Sequence, residues 1–205
     1  MNTEDLKNTY NKIASDYHRD HEHDTWDDDY IDLFFRHLFP HAKVLDLGCG
    51  PGVEAAKLEK KGLAVYGMDL SPALLKIAHE NIATGIFLQG DMLKKFPYES
   101  NFFDGIFAKA SLLHVPKDKM SRVLAEIGRV LKKNGILHVA LKKGTGEDVV
   151  REDDYGYEYE RFFAFWENDE IEELFRKYSL SVLEKENMTN RSGSTIWLKY
   201  LLEKK

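Results

Sequence analysis

The nine residues from Val44 to Gly52, Val-Leu-Asp-Leu-Gly-Cys-Gly-Pro-Gly, constrain the fold more than any other part of the sequence. The first four residues are mostly apolar, which is typical of a buried parallel strand. Glycines then stand at alternate positions, Gly48, Gly50 and Gly52, and predict a tight turn in which a ligand can approach the backbone. A helical pattern follows at once. A strand, a glycine turn and a helix N-terminus in this order predict a nucleotide-type binding crevice at the carboxyl end of a strand.

The spacing of these residues indicates which ligand the crevice suits. A dinucleotide-binding turn reads Gly-x-Gly-x-x-Gly, whereas Val53 stands here in place of its third glycine. Asp46 precedes the first glycine by two positions, where a carboxylate would repel a pyrophosphate but suit an ammonium group. Asp69 ends the next apolar run, nineteen residues after Gly50, the distance expected for a carboxylate that accepts hydrogen bonds from ribose hydroxyls. These features favour S-adenosylmethionine over NAD.

Five segments stand in the same order as the motifs of a known family. They are Leu45–Gly52, Asp69–Pro72, Gly90–Met92, Phe103–Ile106 and Arg129–Ile136. Together they resemble the class I S-adenosylmethionine-dependent methyltransferases, in particular the small type 11/25 enzymes of bacteria and archaea. The resemblance is strong over residues 42–142 and weak in the flanks. It implies that the chain is an enzyme that uses S-adenosylmethionine as its cofactor.

Strands that alternate with helices predict an α/β fold with a doubly wound, mostly parallel sheet. The first five strands are expected at 44–47, 63–69, 86–89, 102–108 and 136–141. Two more, Leu180–Glu186 and Thr195–Leu202, are joined by the short loop Asn190–Gly193 and must therefore run antiparallel to each other. This pattern agrees with the seven-stranded sheet of the resembled family, which has one antiparallel strand and helices on both faces.

The chain is predicted to be a single methyltransferase domain, residues 1–205, with additions at two places. Helices starting at Thr3 and Thr25 and stopped by Pro40 make up residues 1–40, which the resemblance implies are a helical lid over the cofactor. Pro116 is expected to open a long helix that Asn134-Gly135 ends. Residues 142–167 are the least regular stretch and are predicted to be a cap insert, because loops of this length are often functional.

Aromatic residues in the insert alternate in a way that places them on one face of an extended strand. They are Tyr155, Tyr157, Tyr159, Phe163 and Phe165, with Arg161 on the same face. One interpretation is that these rings pack the insert onto the sheet. The other is that the tyrosines meet Tyr10 and Tyr17 of the lid, among nearby acidic residues, and form an acceptor pocket that prefers a cation or a neutral amine.

The resemblance assigns cofactor-binding roles to ten residues. They are Asp46, Gly48, Cys49, Gly50, Gly52, Asp69, Leu70, Asp91, Met92 and Lys109. Asp91 and Met92 follow the third strand, where the carboxylate would accept a hydrogen bond from the adenine amine and the thioether would pack on the ring.

His114 and Tyr17 are the predicted catalytic residues. The segment Lys109–His114 follows the fourth strand, where the transferred methyl group should point. A histidine there can hold or deprotonate the acceptor, and the alternative is a structural histidine that bonds a neighbouring loop. Tyr17 lies on the predicted lid, with its ring expected to face the acceptor.

Composition argues against several other classes of protein. A formal net charge of −6 does not suit a nucleic-acid substrate, whose phosphates require a basic surface. The sequence lacks the Asn/Asp-Pro-Pro-aromatic motif of amino-methylating DNA enzymes, and its only cysteine, Cys49, lies in the glycine turn rather than after a proline. No apolar run reaches the ~18 residues of a membrane helix, and no signal peptide is apparent. A cytoplasmic monomer or homodimer is therefore expected, with no membrane contact.

A cluster of histidines and aspartates near the N-terminus has no recognisable metal-ligand spacing. Its members are His18, Asp20, His21, His23 and Asp24. No metal is therefore predicted.

The sequence thus predicts a methyltransferase that transfers a methyl group from S-adenosylmethionine to a small molecule. A non-catalytic regulatory protein that binds S-adenosylmethionine is the main alternative. An NAD-dependent dehydrogenase is disfavoured by the glycine spacing.

Overall fold

Helices and strands alternate along the computed structural model, which describes residues 1–82, 84–190 and 193–205. The α-helices are α1 (Thr3–His21), α2 (Asp28–Arg36), α3 (Val53–Lys60), α4 (Pro72–Asn81), α5 (Lys117–Val130) and α6 (Asn168–Lys177). The strands are β1 (Lys43–Leu47), β2 (Ala64–Asp69), β3 (Ile86–Gln89), β4 (Phe103–Lys109), β5 (Leu131–Lys142), β6 (Glu147–Glu152), β7 (Tyr159–Ala164), β8 (Leu180–Thr189) and β9 (Ile196–Lys204). A 3₁₀ turn spans Leu112–His114.

Seven strands form one sheet in the order β3-β2-β1-β4-β5-β9-β8. Strands β1 to β5 pair in parallel, and β9 pairs antiparallel with both of its neighbours, β5 and β8. The predicted mostly parallel sheet with one antiparallel strand is therefore confirmed. The strand order reverses between β1 and β4, and open α/β sheets bind their ligands at such a switch point.

Both faces of the sheet are covered, because successive residues of a buried strand point to opposite sides. In β1, Val44 packs in the apolar cluster that contains Phe34 of α2, whereas Leu45 packs in the cluster that contains Met120 and Ile127 of α5. The predicted placement of helices on both faces is confirmed.

Several helix ends differ from the predictions. Asn2, rather than Thr3, caps α1, since its Oδ1 accepts a hydrogen bond from Asp5 N while Asp5 Oδ2 accepts one from Asn2 N. Asp27, rather than Thr25, occupies the cap position of α2.

Helix α5 ends at Val130, so Asn134-Gly135 does not terminate it. Leu131 already pairs with Phe103 of β4, and the register shifts before Gly105. Asn134 takes a left-handed φ of 61° inside the bounds of β5. The Asn134-Gly135 pair therefore lies within β5 and not at the end of the helix.

The insert at 142–167 is more regular than predicted. Strands β6 and β7 pair antiparallel as a separate two-stranded sheet. The tyrosines at 155 and 157 precede β7, so the predicted aromatic face does not run along one strand. The loop predicted between Asn190 and Gly193 includes residues 191 and 192, which lie outside the described residues.

The two N-terminal helices have different positions. Helix α1 bridges the insert and the loop after β2, since Tyr157 Oη donates to Asp16 Oδ2 at 2.7 Å and Ser71 Oγ donates to Asn11 Oδ1 at 2.7 Å. Helix α2 instead packs on the sheet, where the ring of Phe34 meets Phe107 with centroids 5.4 Å apart. Only α1 is therefore placed as a lid. The division of the chain into one domain with a lid and a cap stays a prediction.

A buried ionic cluster attaches the start of α2 to the sheet. Asp27 Oδ2 lies 2.7 Å from His138 Nε2 of β5, and Asp27 Oδ1 lies 3.1 Å from Lys199 Nζ of β9. Burial would raise the pKa of Asp27, but His138 and Lys199 outweigh burial and lower it. The carboxylate is thus ionised and paired inside the fold.

None of the helices in the described part of the chain has both the length and the apolar character needed to cross a membrane.

We expect Asp27→Ala to lower the free energy of unfolding by about 3–5 kcal/mol, because the buried Lys199 and His138 then lose the carboxylate that both of them contact. Asp29 is the matched control, since it pairs with the same Lys199 Nζ at 2.8 Å from an exposed position. Asp29→Ala should cost less than about 1 kcal/mol. Urea denaturation measures both variants, and equal losses would show that burial of the pair is unimportant.

Candidate cofactor and acceptor site

A cavity of about 450 Å³ opens at the carboxyl edge of the parallel strands. Its wall is built from the turn after β1, the ends of β2, β4 and β5, the segment 90–93, the 3₁₀ turn, one side of α1 and the β7 strand of the insert. Every element that the sequence places near the cofactor thus contributes to one space. The volume is in the range of small-molecule and cofactor sites.

The three glycines of the turn are required for different reasons. A Cβ on Gly48 would lie 2.3 Å from Ser111 Cβ, so this glycine allows the loop after β4 to approach. A Cβ on Gly52 would lie 2.9 Å from Ile82 Cδ1, at the contact with the end of α4. At Gly50, which has a φ of +51°, a Cβ would meet no described atom within 4 Å. Since Gly50 lines the cavity, it is the glycine whose backbone a ligand would reach.

Asp69 joins the ends of β1 and β2. Its Oδ2 accepts a hydrogen bond from Gly50 N at 2.9 Å, and its Oδ1 accepts one from Ser71 N at 2.8 Å. Burial raises the pKa of Asp69, while the backbone N–H groups act in the opposite direction. Each oxygen keeps a lone pair for a further donor. Asp69 and the following Leu70 both line the cavity, as predicted for a ribose site.

Asp91 and Met92 form the wall beyond β3. Asp91 Oδ1 accepts a hydrogen bond from Leu93 N at 2.8 Å, which holds the carboxylate in place. The Met92 side chain is half-buried against the main apolar cluster. This part of the wall combines an acceptor with an apolar surface, as an adenine ring requires.

Asp46 does not line the cavity, although Glu54 of α3 does. Asp46 is 3% exposed, and no described group hydrogen-bonds its Oδ2. Burial raises the pKa of Asp46 well above its ordinary value, and the nearby Glu54 and Asp69 raise it further. The structure therefore places Asp46 behind the wall and Glu54 in it.

Lys109 is an ion-pair centre at the end of β4. Its Nζ lies 2.5 Å from Glu54 Oε1 and 3.9 Å from Asp24 Oδ2, and it also lies 4.6 Å from the centroid of the Trp26 ring. Trp26 in turn stacks on Trp197 of β9, with centroids 4.8 Å apart. Lys109 thus holds the segment between α1 and α2 against the sheet edge.

His114 connects the lid to the insert across the cavity. Its Nδ1 lies 2.6 Å from the carbonyl oxygen of Phe162, which can only accept, so Nδ1 carries the proton. Its Nε2 lies 2.7 Å from Tyr10 Oη and must therefore accept from that hydroxyl. Burial lowers the pKa of His114 to about 3. The imidazole is neutral, and both of its nitrogens have partners.

Tyr17 faces the cavity from the next turns of α1. Its ring lies edge-on to Tyr10, with centroids 5.6 Å apart, and stacks on His21 at 4.0 Å. Burial raises the pKa of Tyr17 well above its ordinary value, so the hydroxyl stays protonated. In the part of the chain that the structure describes, nothing hydrogen-bonds this hydroxyl, which leaves it available to a ligand.

Comparisons with known proteins agree with this site. Residues 45–139 match a family model described as a methyltransferase domain. Over this stretch the chain resembles the class I S-adenosylmethionine-dependent methyltransferases. The resemblance predicted from the glycine turn is thereby confirmed, and S-adenosylmethionine is the cofactor of the resembled family.

Individual relatives of this chain differ in what they are named for. Methyltransferase GfsG of Streptomyces halstedii is 36% identical over 116 residues, which cover 52% of this chain and 41% of that protein. The 18S rRNA (guanine-N(7))-methyltransferase bud23 of Schizosaccharomyces pombe is 29% identical over 102 residues, or 45% of this chain and 38% of that protein. The chain spans less than half the length of these two relatives.

A solved structure shares the fold over nearly the whole chain. It is the 1,6-didemethyltoxoflavin-N1-methyltransferase of Burkholderia thailandensis, with bound 1,6-didemethyltoxoflavin and S-adenosylhomocysteine. Its TM-score is 0.77 at 19% sequence identity, over 97% of this chain and 87% of that chain.

Most of the predicted site residues line the cavity. Those that do are Tyr17, Gly48, Cys49, Gly50, Asp69, Leu70, Asp91, Met92, Lys109 and His114. Gly52 and Asp46 support the wall from behind it.

Of the two interpretations of the insert tyrosines, the structure does not support the acceptor pocket. None of Tyr155, Tyr157 and Tyr159 lines the cavity, and the first and last of them stack on each other with centroids 5.4 Å apart. The strand face that does reach the cavity carries Arg161 and Phe163 of β7. A preference of this pocket for a cationic acceptor is also unsupported, because Lys142 at the end of β5 lines this part of the wall.

Sequence reasoning missed Glu54, Trp26 and Lys142 as wall residues. The position of Glu54 in the first turn of the helix after the glycines was an available signal, since the N-terminus of that helix faces the site. Lys142 directly follows the predicted fifth strand, and the carboxyl ends of parallel strands meet at the ligand edge of the sheet. Trp26 reaches the cavity through contacts between distant segments and carries no local signal.

We expect Gly50→Ala to fold but to bind S-adenosylmethionine at least tenfold more weakly, because its Cβ enters the cavity. Gly62→Ala is the control, since Gly62 has a φ of +83° and a Cβ there also meets no described atom within 4 Å. It precedes β2, at the opposite edge of the sheet. Both variants carry a left-handed backbone cost of about 1–2 kcal/mol. Calorimetric titration that gave equal affinities for the two would contradict the assignment.

The neutral His114 predicts a pH dependence of stability. The unfolded chain takes up a proton at this residue near pH 6.5, while the folded chain does so only at about 3, so stability is present above pH 6.5 and is lost as the pH falls between these values. The stability advantage of the wild type over His114→Gln should therefore shrink between pH 7 and pH 4, by about 3 kcal/mol. Chemical denaturation at both pH values measures it, and a constant difference would mean that His114 titrates normally.

Proposed function

We propose that the chain is a methyltransferase that transfers the methyl group of S-adenosylmethionine to a small-molecule acceptor. The observation that carries the proposal is one continuous cavity with two chemically different ends. At one end, the backbone of Gly50 and the carboxylates of Asp69 and Asp91 line the wall. At the other end, the wall consists of Tyr10, His114 and residues of the insert.

The residues of the first end fit the parts of the cofactor. Asp69 would accept hydrogen bonds from the ribose hydroxyls, and Asp91 with Met92 would hold the adenine. The two carboxylates of Glu54 and Asp24 lie beside the single ammonium group of Lys109, so negative charge is in excess there. This excess suits the charged amino-acid end of the cofactor. When bound, S-adenosylmethionine supplies a methyl group on a positively charged sulfur.

Transfer of a methyl group requires alignment and exclusion of water more than covalent help from the protein. The hydrogen bond between Tyr10 and His114 closes the lid over the cavity at 2.7 Å. We therefore assign His114 a positioning role, since it orients Tyr10 through its own bond to Phe162 O. Tyr17 is the proposed catalytic residue, because its protonated hydroxyl can donate to the acceptor.

Two features support a small acceptor rather than a nucleic acid. The cavity of about 450 Å³ lies under α1, so that a polymer could not enter without displacement of the helix. The chain has a formal net charge of −6, which opposes phosphate binding. The cytoplasmic location and the monomeric or homodimeric state stay predictions from the sequence.

The turnover test is release of S-adenosylhomocysteine from S-adenosylmethionine in the presence of amines, thiols, phenols and carboxylates. A methyltransferase should release it with at least one of these classes. A protein that binds the cofactor and releases none with any class would be a non-catalytic binding protein.

We expect Asp69→Ala to weaken S-adenosylmethionine binding about 10- to 150-fold, which corresponds to about 1.5–3 kcal/mol for hydrogen bonds to a charged group. Asp104→Ala is the matched control, because Asp104 Oδ2 also accepts from a backbone amide, Lys43 N, at 2.9 Å, but at the start of β4. Both variants should lose stability, and only the first should lose affinity in calorimetric titration. An equal loss of affinity in both would remove Asp69 from the ribose site.

A further inference from the structure

Lys142 occupies the last position of β5, at the same edge of the sheet as the glycine turn. It pairs in register with Trp197 of β9, two residues beyond the pair between Ala140 and Lys109 of β4. The carboxyl ends of adjacent parallel strands thus bring two lysines, Lys109 and Lys142, to the same cavity.

The cations of the cavity wall differ in their partners. Lys109 pairs with Glu54 at 2.5 Å, and Arg161 pairs with both carboxylate oxygens of Glu152 at 2.5 Å. A further lysine of the wall, Lys119, lies 2.8 Å from Asp118. In contrast, no carboxylate among the described residues lies within ion-pair distance of Lys142 Nζ. Lys142 is therefore the wall lysine whose charge has no counter-ion in the described structure.

The surroundings of Lys142 are aromatic. Its Nζ lies 3.6 Å from the centroid of the Phe163 ring, and the guanidinium of Arg161 lies 5.2 Å from the same ring. The His114 ring also packs against Phe163, with centroids 5.1 Å apart. A ring face attracts a cation but does not neutralise its charge.

The ammonium group is partly removed from water at this position. Burial and the nearby Arg161 together lower the pKa of Lys142 to about 8, against the opposing effect of Glu152. At neutral pH the group still carries its charge. A half-buried ammonium without a counter-ion gains more from an anionic ligand than an exposed one does, because the interaction is less screened.

We propose that Lys142 binds an anionic group, a carboxylate, on the methyl acceptor. This inference rests on the proposed function, since it assigns the acceptor end of the same cavity. It differs from the interpretation, left open by the sequence, of an acceptor pocket that prefers a cation or a neutral amine. Arg161 contributes little net charge because Glu152 neutralises it, so the selectivity is assigned to Lys142.

The test compares benzoate with benzamide, which have the same shape but differ in charge. Each is titrated calorimetrically into the protein saturated with S-adenosylhomocysteine. We expect benzoate to bind at least tenfold more tightly than benzamide. Lys142→Met should abolish this preference, while Lys142→Arg should retain it.

Lys143→Met is the matched control, because the neighbouring Lys143 lies outside the cavity wall and pairs with Glu167 at 3.7 Å. It should leave the preference for benzoate unchanged. Melting temperatures of all variants show whether each is folded, and Lys142→Arg keeps the test valid if Lys142→Met is unstable. A wild-type protein without a preference for benzoate, or a preference that survives in Lys142→Met, would overturn the proposal.

Failure of the proposed function gives a different result. A chain that does not bind S-adenosylhomocysteine, or that binds the cofactor without turnover, contradicts methyl transfer whatever Lys142 does. The two titrations repeated without S-adenosylhomocysteine then still report on the anion site, since Lys142 is held by β5 and β7.

Discussion

The hydrogen bonds from Gly50 N and Ser71 N to the Asp69 carboxylate are the interaction on which the site depends. The bond from Gly50 joins the ends of two neighbouring parallel strands, β1 and β2, and the bond from Ser71 holds the carboxylate within the loop after β2. Because both donors are backbone amides, the carboxylate can be buried without an opposite charge. The bond from Gly50 fixes the glycine turn against the end of β2, and both oxygens of the carboxylate keep a lone pair that can accept from a ribose. One residue thus serves the fold and the proposed cofactor site.

A second set of contacts determines how the cavity is closed. Helix α1 reaches the loop after β2 through Asn11, the 3₁₀ turn through Tyr10 and the insert through Asp16. It buries only Ile13 and Ala14, whereas the shorter α2 buries Tyr30, Ile31 and Phe34, so the attachment of α1 depends more on hydrogen bonds. A cover held by a small number of hydrogen bonds can open at a lower free-energy cost than an element of the core. The lid and the insert are therefore the parts of the fold suited to admit an acceptor.

Charge divides the cavity into two regions. Around Lys109 the carboxylates of Glu54 and Asp24 are in excess, whereas Lys142 faces aromatic rings without a carboxylate partner among the described residues. Asp46, although buried close to the turn, stays behind the wall, and burial raises its pKa. The electrostatic character of each region thus follows from which ion pairs form across the fold and not from the net charge of −6. A cofactor with a charged amino-acid end suits the first region, and an anionic acceptor suits the second.

The sequence by itself determined the sheet, the glycine turn and most of the cofactor wall. Buried strands, alternating glycines and Ser71-Pro72 are local signals, and the carboxyl ends of parallel strands always meet at one edge. Tertiary structure decided the rest. The Asn134-Gly135 pair predicts a helix end, but the pairing of Leu131 with Phe103 ends α5 earlier. The tyrosines at 155–159 alternate like a strand face, yet they bind the lid and one another. Which cations find carboxylates depends on side chains far apart in sequence, because ion pairing is a property of distances in the folded chain.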